Sequence, residues 1–267
     1  MIRPPMRAAA LAALLAAACN VRSPAEQLYS LAYEQLAAGN YYSASDTFKR
    51  VMKESAQSPQ AGGAAVLHIA LVGGMARSYK DIAESYRAGA KQAGAAPHAR
   101  RMRTMPVDYF GRARGRSLEM VEAIDLFFNQ PAAGPLRVDF PAFGGTGATM
   151  SLGKIRQGQW LEDKELVAAE KQSVRQGAEA LLAHLAPGNR PDLSPAHLSL
   201  ALAEELLEMS SLYDKDALDD HRLLRLYHQR AETLAERAEK LGLPGDAATA
   251  GRLAEVKQRC QKALEKK

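Results

Sequence analysis

A chain of 267 residues with 47% hydrophobic side chains is long enough to bury one or two cores, and two cysteines exclude a disulfide framework as the source of its stability. Its formal charge of +5, from 35 Lys and Arg against 30 Asp and Glu, is too small to imply nucleic acid by itself. Ala, Leu, Glu, Lys, Arg and Gln dominate, aromatics are only 6%, and β-branched runs are almost absent, so the composition predicts an all-α protein.

The chain opens with Arg3 and Arg7, followed by an unbroken run of Ala and Leu from Ala8 to Ala18. That run is well short of the roughly 20 apolar residues that span a bilayer, so residues 1–18 read as a secretory leader. Its end, Leu15-Ala16-Ala17-Ala18-Cys19, resembles the lipobox of bacterial lipoproteins, although Leu15 lies four residues before the Cys and not the usual three. The resemblance implies cleavage before Cys19 and lipidation of its thiol, and the two or three acyl chains would form a stable membrane anchor. Plain leader cleavage after an A-x-A pattern is the alternative. Asn20 replaces the Asp that resembles an inner-membrane retention signal, which points to the periplasmic face of the outer membrane. With the leader gone, Cys260 has no intramolecular partner and the formal charge falls to about +3.

Residues 19–128 carry the clearest pattern. Leu28, Leu31, Ala32 and Leu36 recur at helical spacing, Gly39-Asn40 supplies a left-handed stop, and Tyr41, Ala44, Phe48, Val51 and Met52 mark a second helix that closes before Pro59. Leu28, Leu31 and Ala32 facing Tyr41, Ala44 and Phe48 across a Gly turn resemble a tetratricopeptide repeat, with Gln35 standing where that family usually has an aromatic. Because one such repeat cannot bury its own face, a neighbour is required. A shift of 38 residues maps the pattern onto Val66, Ile69 and Ala70, then Tyr79, Ile82 and Tyr86, with Arg77 in place of the cap glycine and Gly73-Gly74 nearby. The expected fold is therefore a TPR-like solenoid of helical hairpins, interrupted by a Gly/Pro-rich non-helical insertion.

That insertion is residues 129–160, where Pro131, Pro135 and Pro141 and six glycines exclude a continuous helix and Leu136 to Phe140 is the only β-like run. Its apolar residues, among them Val138, Phe140, Phe143 and Trp160, predict partial packing onto the helices and a contact surface. Helices are expected from Val107 to Phe128 before it. In the C-terminal region, residues 161–267, they are expected over Leu161 to Leu185, Pro195 to Tyr213, Asp216 to Leu241 and Asp246 to Leu264. In the last, Leu253, Val256, Cys260 and Leu264 share one stripe, which makes Cys260 a core residue.

No catalytic signature emerges. Gly144 to Lys154 fails as a phosphate loop because Ala148 stands six before Lys154 and Ile155 follows it. Asp214, Asp216, Asp219, Asp220 and His221 are explained by N-capping, with Asp216 as the expected cap, and the scattered histidines give no zinc pattern. No metal, cofactor or catalytic residue is expected. The most polar feature is Arg100, Arg101, Arg103, Arg112, Arg114 and Arg116, a cluster suited to acidic protein surfaces or anionic lipid head groups; export argues against nucleic acid. Together with Phe140, Phe143 and Trp160, these arginines are the candidate partner-binding residues. The expected function is a membrane-anchored scaffold that binds an envelope protein or peptide, and the first hairpin resembles the helical lipoprotein subunit of outer-membrane β-barrel assembly. A solute-handling accessory lipoprotein, similar to the T-component of tripartite periplasmic transporters, is the alternative, and an envelope enzyme is a third reading.

Overall fold

In the computed structural model, residues 22–129, 136–145, 152–189, 191–243 and 246–265 are described; the leader and Cys19 lie outside them. Among the described residues the structure is all-α. Helix α1 (Pro24–Ala37) starts in a capping box, with the Ser23 hydroxyl accepting from the Glu26 amide and the Glu26 carboxylate accepting from the Ser23 amide. Gly39 takes φ +71°, a conformation nearly free for glycine alone, and turns the chain into α2 (Tyr41–Glu54). Ala32, Leu36, Tyr41, Ala44 and Phe48 are buried, as the hairpin pattern requires. The buried face of α1 is nevertheless rotated from the expected one: Leu31 is 42% exposed, and Phe48 meets Tyr29 and Tyr33 edge-on, each at 5.7 Å between centroids. Gln35 accepts a hydrogen bond from Thr47, which fits a polar residue where the repeat family has a ring.

The expected second repeat is not a hairpin. Val66, Ile69, Ala70, Tyr79, Ile82 and Tyr86 are all buried, but on one uninterrupted helix, α3 (Ala61–Gln92), of 32 residues. The misreading has a simple cause: positions 66, 69 and 70 and positions 79, 82 and 86 lie on opposite faces of one helix, and because α3 is buried all round, both triplets are interior as the facing helices of a hairpin would be. Gly73 and Gly74 do not break α3, because a neighbouring helix lies directly against them. Every residue from Gly63 to Ala76 is buried, so α3 runs through the centre of the protein with partners on all sides.

Those partners are α2, α4 (Ala99–Asn129), the single turn α5 (Gly153–Arg156) and α6 (Asp163–Leu185). Helix α4 begins eight residues before the expected Val107 and passes through Pro106. Proline removes one helical hydrogen bond there, but the preceding turn is anchored by Met102, which is fully buried. Where α3 ends, Gly89 lets the backbone of Ile155 approach so closely that any side chain would collide with its carbonyl.

The described part of the insertion, residues 136–145, is an extended strap and not a strand of a sheet. Arg137 and Asp192 form an isolated antiparallel bridge, with the Val138 amide donating to Pro191 and the Leu193 amide to Leu136. At its far end the Gly144 amide donates to the Leu36 carbonyl, and the Tyr33 and Tyr41 hydroxyls donate to the Asp139 and Gly144 carbonyls. The strap thereby ties the first hairpin to the segment preceding α7 (Pro195–Ser210).

Helices α7, α8 (His221–Lys240) and α9 (Ala247–Glu265) pack on one another and complete a single hydrophobic cluster that runs from Ala32 to Cys260. Arg77, at the place of the absent cap glycine, pairs through two hydrogen bonds with the fully buried Glu205 and pins α3 to α7. Helix α8 starts later than expected, and its N-cap is Asp220, whose carboxylate accepts from the Leu223 amide at 3.1 Å; Asp216 lies in the preceding turn. Cys260 is buried, and burial pushes its thiol pKa up to about 11. Replacing Phe48 by Ala should destabilise the fold by about 3–5 kcal/mol in urea unfolding, because its ring is fully buried among Tyr29, Tyr33 and the α2–α3 contact. A loss of a few tenths would contradict this packing.

Candidate functional site

The six arginines of the sequence cluster do not share one surface, because a helix distributes successive residues around its axis. Arg101, Arg112 and Arg116 fall on one stripe of α4 and lie against aromatic rings. Arg101 stands 4.5 Å above Trp160, Arg112 is 5.1 Å from the Tyr109 centroid and 5.9 Å from that of Tyr79, and Arg116 is 5.4 Å from Tyr42. Arg114 turns the other way and meets Asp220 at 3.5 Å. Arg103 borders a hollow with Arg87 and Lys91, and Arg100 is exposed on the first turn of α4.

The rings beneath the stripe form a continuous ladder. Tyr42 and Tyr79 share a hydrogen bond through their hydroxyls, Tyr79 lies 5.9 Å from Tyr109, Tyr109 stacks on Tyr86 at 5.9 Å, and Tyr86 reaches Trp160 at 6.2 Å. Burial, reinforced by the shared hydrogen bond, raises the pKa of Tyr42, and burial likewise pushes Tyr86 up to about 12. Burial thus keeps the phenols of Tyr42, Tyr86 and Tyr109 neutral at physiological pH.

Where α2, α3 and α4 meet, Tyr42, Tyr79, Arg112, Gly115, Arg116 and Glu119 line a groove of about 530 Å³. On the other side of Tyr42 a smaller hollow of about 140 Å³ opens against α6, with Val167, Lys171 and Val174 in its wall. Tyr42 and Val167 are 38% and 52% exposed, although most large apolar side chains of this protein are buried. Arg112 and Arg116 line the groove, Lys49 reaches its Glu119 from outside, and Lys171 lines the hollow beyond Tyr42. Two carboxylates answer them: Glu119, which accepts from Lys49 and Arg116, and Glu170, which accepts from Tyr109 and lies 3.4 Å from Arg112. Groove and hollow taken together keep a positive surplus around the exposed Tyr42, with the exposed Val167 in the wall of the hollow.

No protein family matches this chain in sequence, and no curated protein or solved structure matches it either. The chemistry of its surface must therefore be read from the residues themselves.

Three groups below the groove resemble a hydrolase constellation and are arranged otherwise. Ser45 and His68 share a 2.9 Å hydrogen bond at Nδ1, and Nε2 of His68 lies 3.9 Å from Glu119. Ser45 and His68 are both fully buried, so a substrate carbonyl has no route to the hydroxyl. Burial holds the His68 pKa down to about 4, against the pull of Glu119, so the 3.9 Å approach is between a neutral ring and a carboxylate and is not an ion pair. The trio is an internal polar contact between α2, α3 and α4. Among the described residues no group of three or more His, Cys, Asp or Glu side chains is placed to hold a metal ion.

Phe140 and Phe143, expected on a contact surface, are half-buried on the strap against the hydrophobic cluster, with Phe143 6.4 Å from Tyr41 of the first hairpin; neither lines the groove. Trp160 is half-buried under Arg101 at the far end of the ladder. Sequence reading missed Tyr42, Val167 and Lys171. The signal for Tyr42 was the Tyr41-Tyr42 pair: on a helix with one buried face, successive tyrosines cannot both point inward.

The His68 environment carries a pH dependence whose sign follows from its depressed pKa. Between pH 6.5 and about 4 the unfolded chain binds a proton at this ring that the folded chain refuses, so stability falls on acidification through that window. Urea titrations at pH 4.5 and 7.5 should show His68→Asn losing less stability on acidification than the parent chain, by up to about 3 kcal/mol. An identical pH dependence in both would show that the ring is protonated or solvated in the folded protein.

Proposed function

We propose that this protein is a lipid-anchored adaptor of the bacterial cell envelope, which performs no chemistry and docks an acidic, partly apolar segment of another envelope protein in the groove beside Tyr42. The observation that carries this reading is the stacking of Arg112 and Arg116 on the rings of Tyr109, Tyr79 and Tyr42 at the groove edge. A stacked guanidinium is held in place by the ring face while its edge N–H groups remain available, so it meets a carboxylate with little further loss of freedom. The exposed Tyr42 and Val167 supply apolar contact between the cations, the combination that anchors protein segments at interfaces.

The anchoring part of the proposal rests on the leader and on Cys19. Among the described residues no helix is long and apolar enough to cross a membrane, so attachment through the lipid on Cys19 is the route by which this reading holds the protein at the envelope. The tetratricopeptide likeness of the first hairpin supports a binding role of the same kind, with the groove formed by α2 against α4 and α6 and not by stacked repeats.

Photo-crosslinking in intact envelopes tests the reading directly. A photoreactive residue at Tyr42 should give one dominant protein adduct that is absent when the same residue is placed at the exposed Thr233, and Arg112→Gln with Arg116→Gln should reduce it at least tenfold. Cys19→Ser should abolish incorporation of labelled fatty acid and release the protein from the membrane fraction. Equal adducts from both positions, or an adduct indifferent to the arginines, would overturn the docking role; fatty acid absent from the parent chain would overturn the anchor.

A further inference from the structure

A second groove lies away from the arginine and tyrosine ladder, between the first half of α8 and the last turns of α9, with Arg114 of α4 and Asp214 at its end. Its cavity is about 1210 Å³. Two features distinguish its walls. The half-buried Leu223, Leu224 and Leu226 with Ala263 give it apolar surface, and cations stand on both sides, Arg222 and Arg225 on α8 facing Arg259 and Lys262 on α9.

These cations are largely uncommitted. Arg222, Arg225 and Lys262 make no ion pair with any described residue, and Arg259 and Arg114 hold Glu208 and Asp220 at 3.3 and 3.5 Å while roughly half exposed. Solvated pairs of that kind contribute little and exchange readily for a better partner. A second observation is independent of charge. His228, nine-tenths buried, lines the same groove, and its Nδ1 has no hydrogen-bond partner. A buried polar atom without a partner costs free energy that a ligand group can recover.

We propose that this groove receives an amphipathic helix of a partner protein, with its apolar stripe on Leu223, Leu226 and Ala263 and acidic residues on its two flanks. The wall from His221 to Gln229 is about 13 Å long, which matches two to three helical turns laid along it. Arg222 and Arg225 sit one turn apart on α8, as Arg259 and Lys262 do on α9, so each row meets carboxylates spaced three or four residues apart along an acidic flank. A bare phosphate would use the cations and leave the leucines wet, and an apolar ligand would leave the cations facing nothing. This surface is separate from the Tyr42 groove, so the inference stands or falls independently of the proposed docking there.

The test uses the full chain carrying Cys19→Ser and a synthetic peptide of about 15 residues, with Leu on one helical face and Glu on both flanks, followed by fluorescence anisotropy at low salt. Binding in the micromolar range is expected, with affinity falling as salt rises. Arg222→Glu with Arg225→Glu should weaken it at least tenfold, His228→Leu severalfold, and Arg112→Gln with Arg116→Gln not at all. Arg112, Arg222 and Arg225 are exposed and Arg116 is half-buried at the surface, so far-ultraviolet circular dichroism should be unchanged in the arginine variants. No binding, equal binding of a scrambled peptide of the same composition, or indifference to the double charge reversal would each overturn the proposal. Displacement of the peptide by tripolyphosphate at equal concentration would overturn it as well, since the groove would then be a simple anion site.

Discussion

Helices α3 and α6 cross at Gly74 and Gly177, and the backbones touch there because neither residue has a side chain. A Cβ built on Gly74 would lie 2.4 Å from the amide nitrogen and 2.7 Å from the Cα of Ala178, and one built on Gly177 would lie 2.7 Å from the Gly74 carbonyl oxygen. Gly73 makes the same kind of room for Leu181 and Met120. Two glycines inside a helix weaken it locally, and the offsetting gain is a close crossing that covers the last open side of α3. Once α3 is enclosed, the rings it carries are fixed in depth. Tyr79 and Tyr86 become the middle of the ladder, Tyr109 of α4 lies on them, and Val167, Glu170 and Lys171 of α6 are brought beside Tyr42 of α2.

How much of this was legible in the sequence depends on the range over which each signal acts. The left-handed Gly39, the Ser194-Pro195 start of α7 and the buried stripe holding Cys260 are local, and they read correctly. The failures are all non-local. Gly73-Gly74 looked like a turn because a glycine pair breaks an isolated helix, and only the presence of α6 makes the same pair a contact surface. The helix expected from Val107 instead runs through Pro106 from Ala99, and the buried Met102 holds the turn before the proline. Asp216 and Asp220 compete for the same capping role four residues apart, and which one caps is decided by how the preceding turn packs on α7.

The candidate site shows the same division. The arginine cluster was visible as composition, but its partition was not, since the rings that receive Arg101, Arg112 and Arg116 come from α2, α3, α4 and the segment before α6. The strap residues Phe140 and Phe143 are half-buried against the hydrophobic cluster, as their apolar character requires, and Phe143 lies beside Tyr41 of the first hairpin. The groove beside Tyr42 and the groove between α8 and α9 both set cations beside apolar side chains. That pattern suits protein segments better than small solutes, because the charge is spread along a helix length and not focused on one point.

The account depends on the glycine crossing, and paired substitutions measure it. Gly111 lies on α4 with open space around it, so Gly111→Ala should stabilise the protein by about 0.5–1 kcal/mol through helix propensity alone. Gly74→Ala gains the same propensity, yet its methyl group would enter the backbone of α6, and urea unfolding should show a net loss of about 1–3 kcal/mol. Opposite signs for the two substitutions are the predicted result. Stabilisation by both would mean that α6 does not rest on α3 at this point, and the enclosure of α3 and the ladder built on it would have to be abandoned.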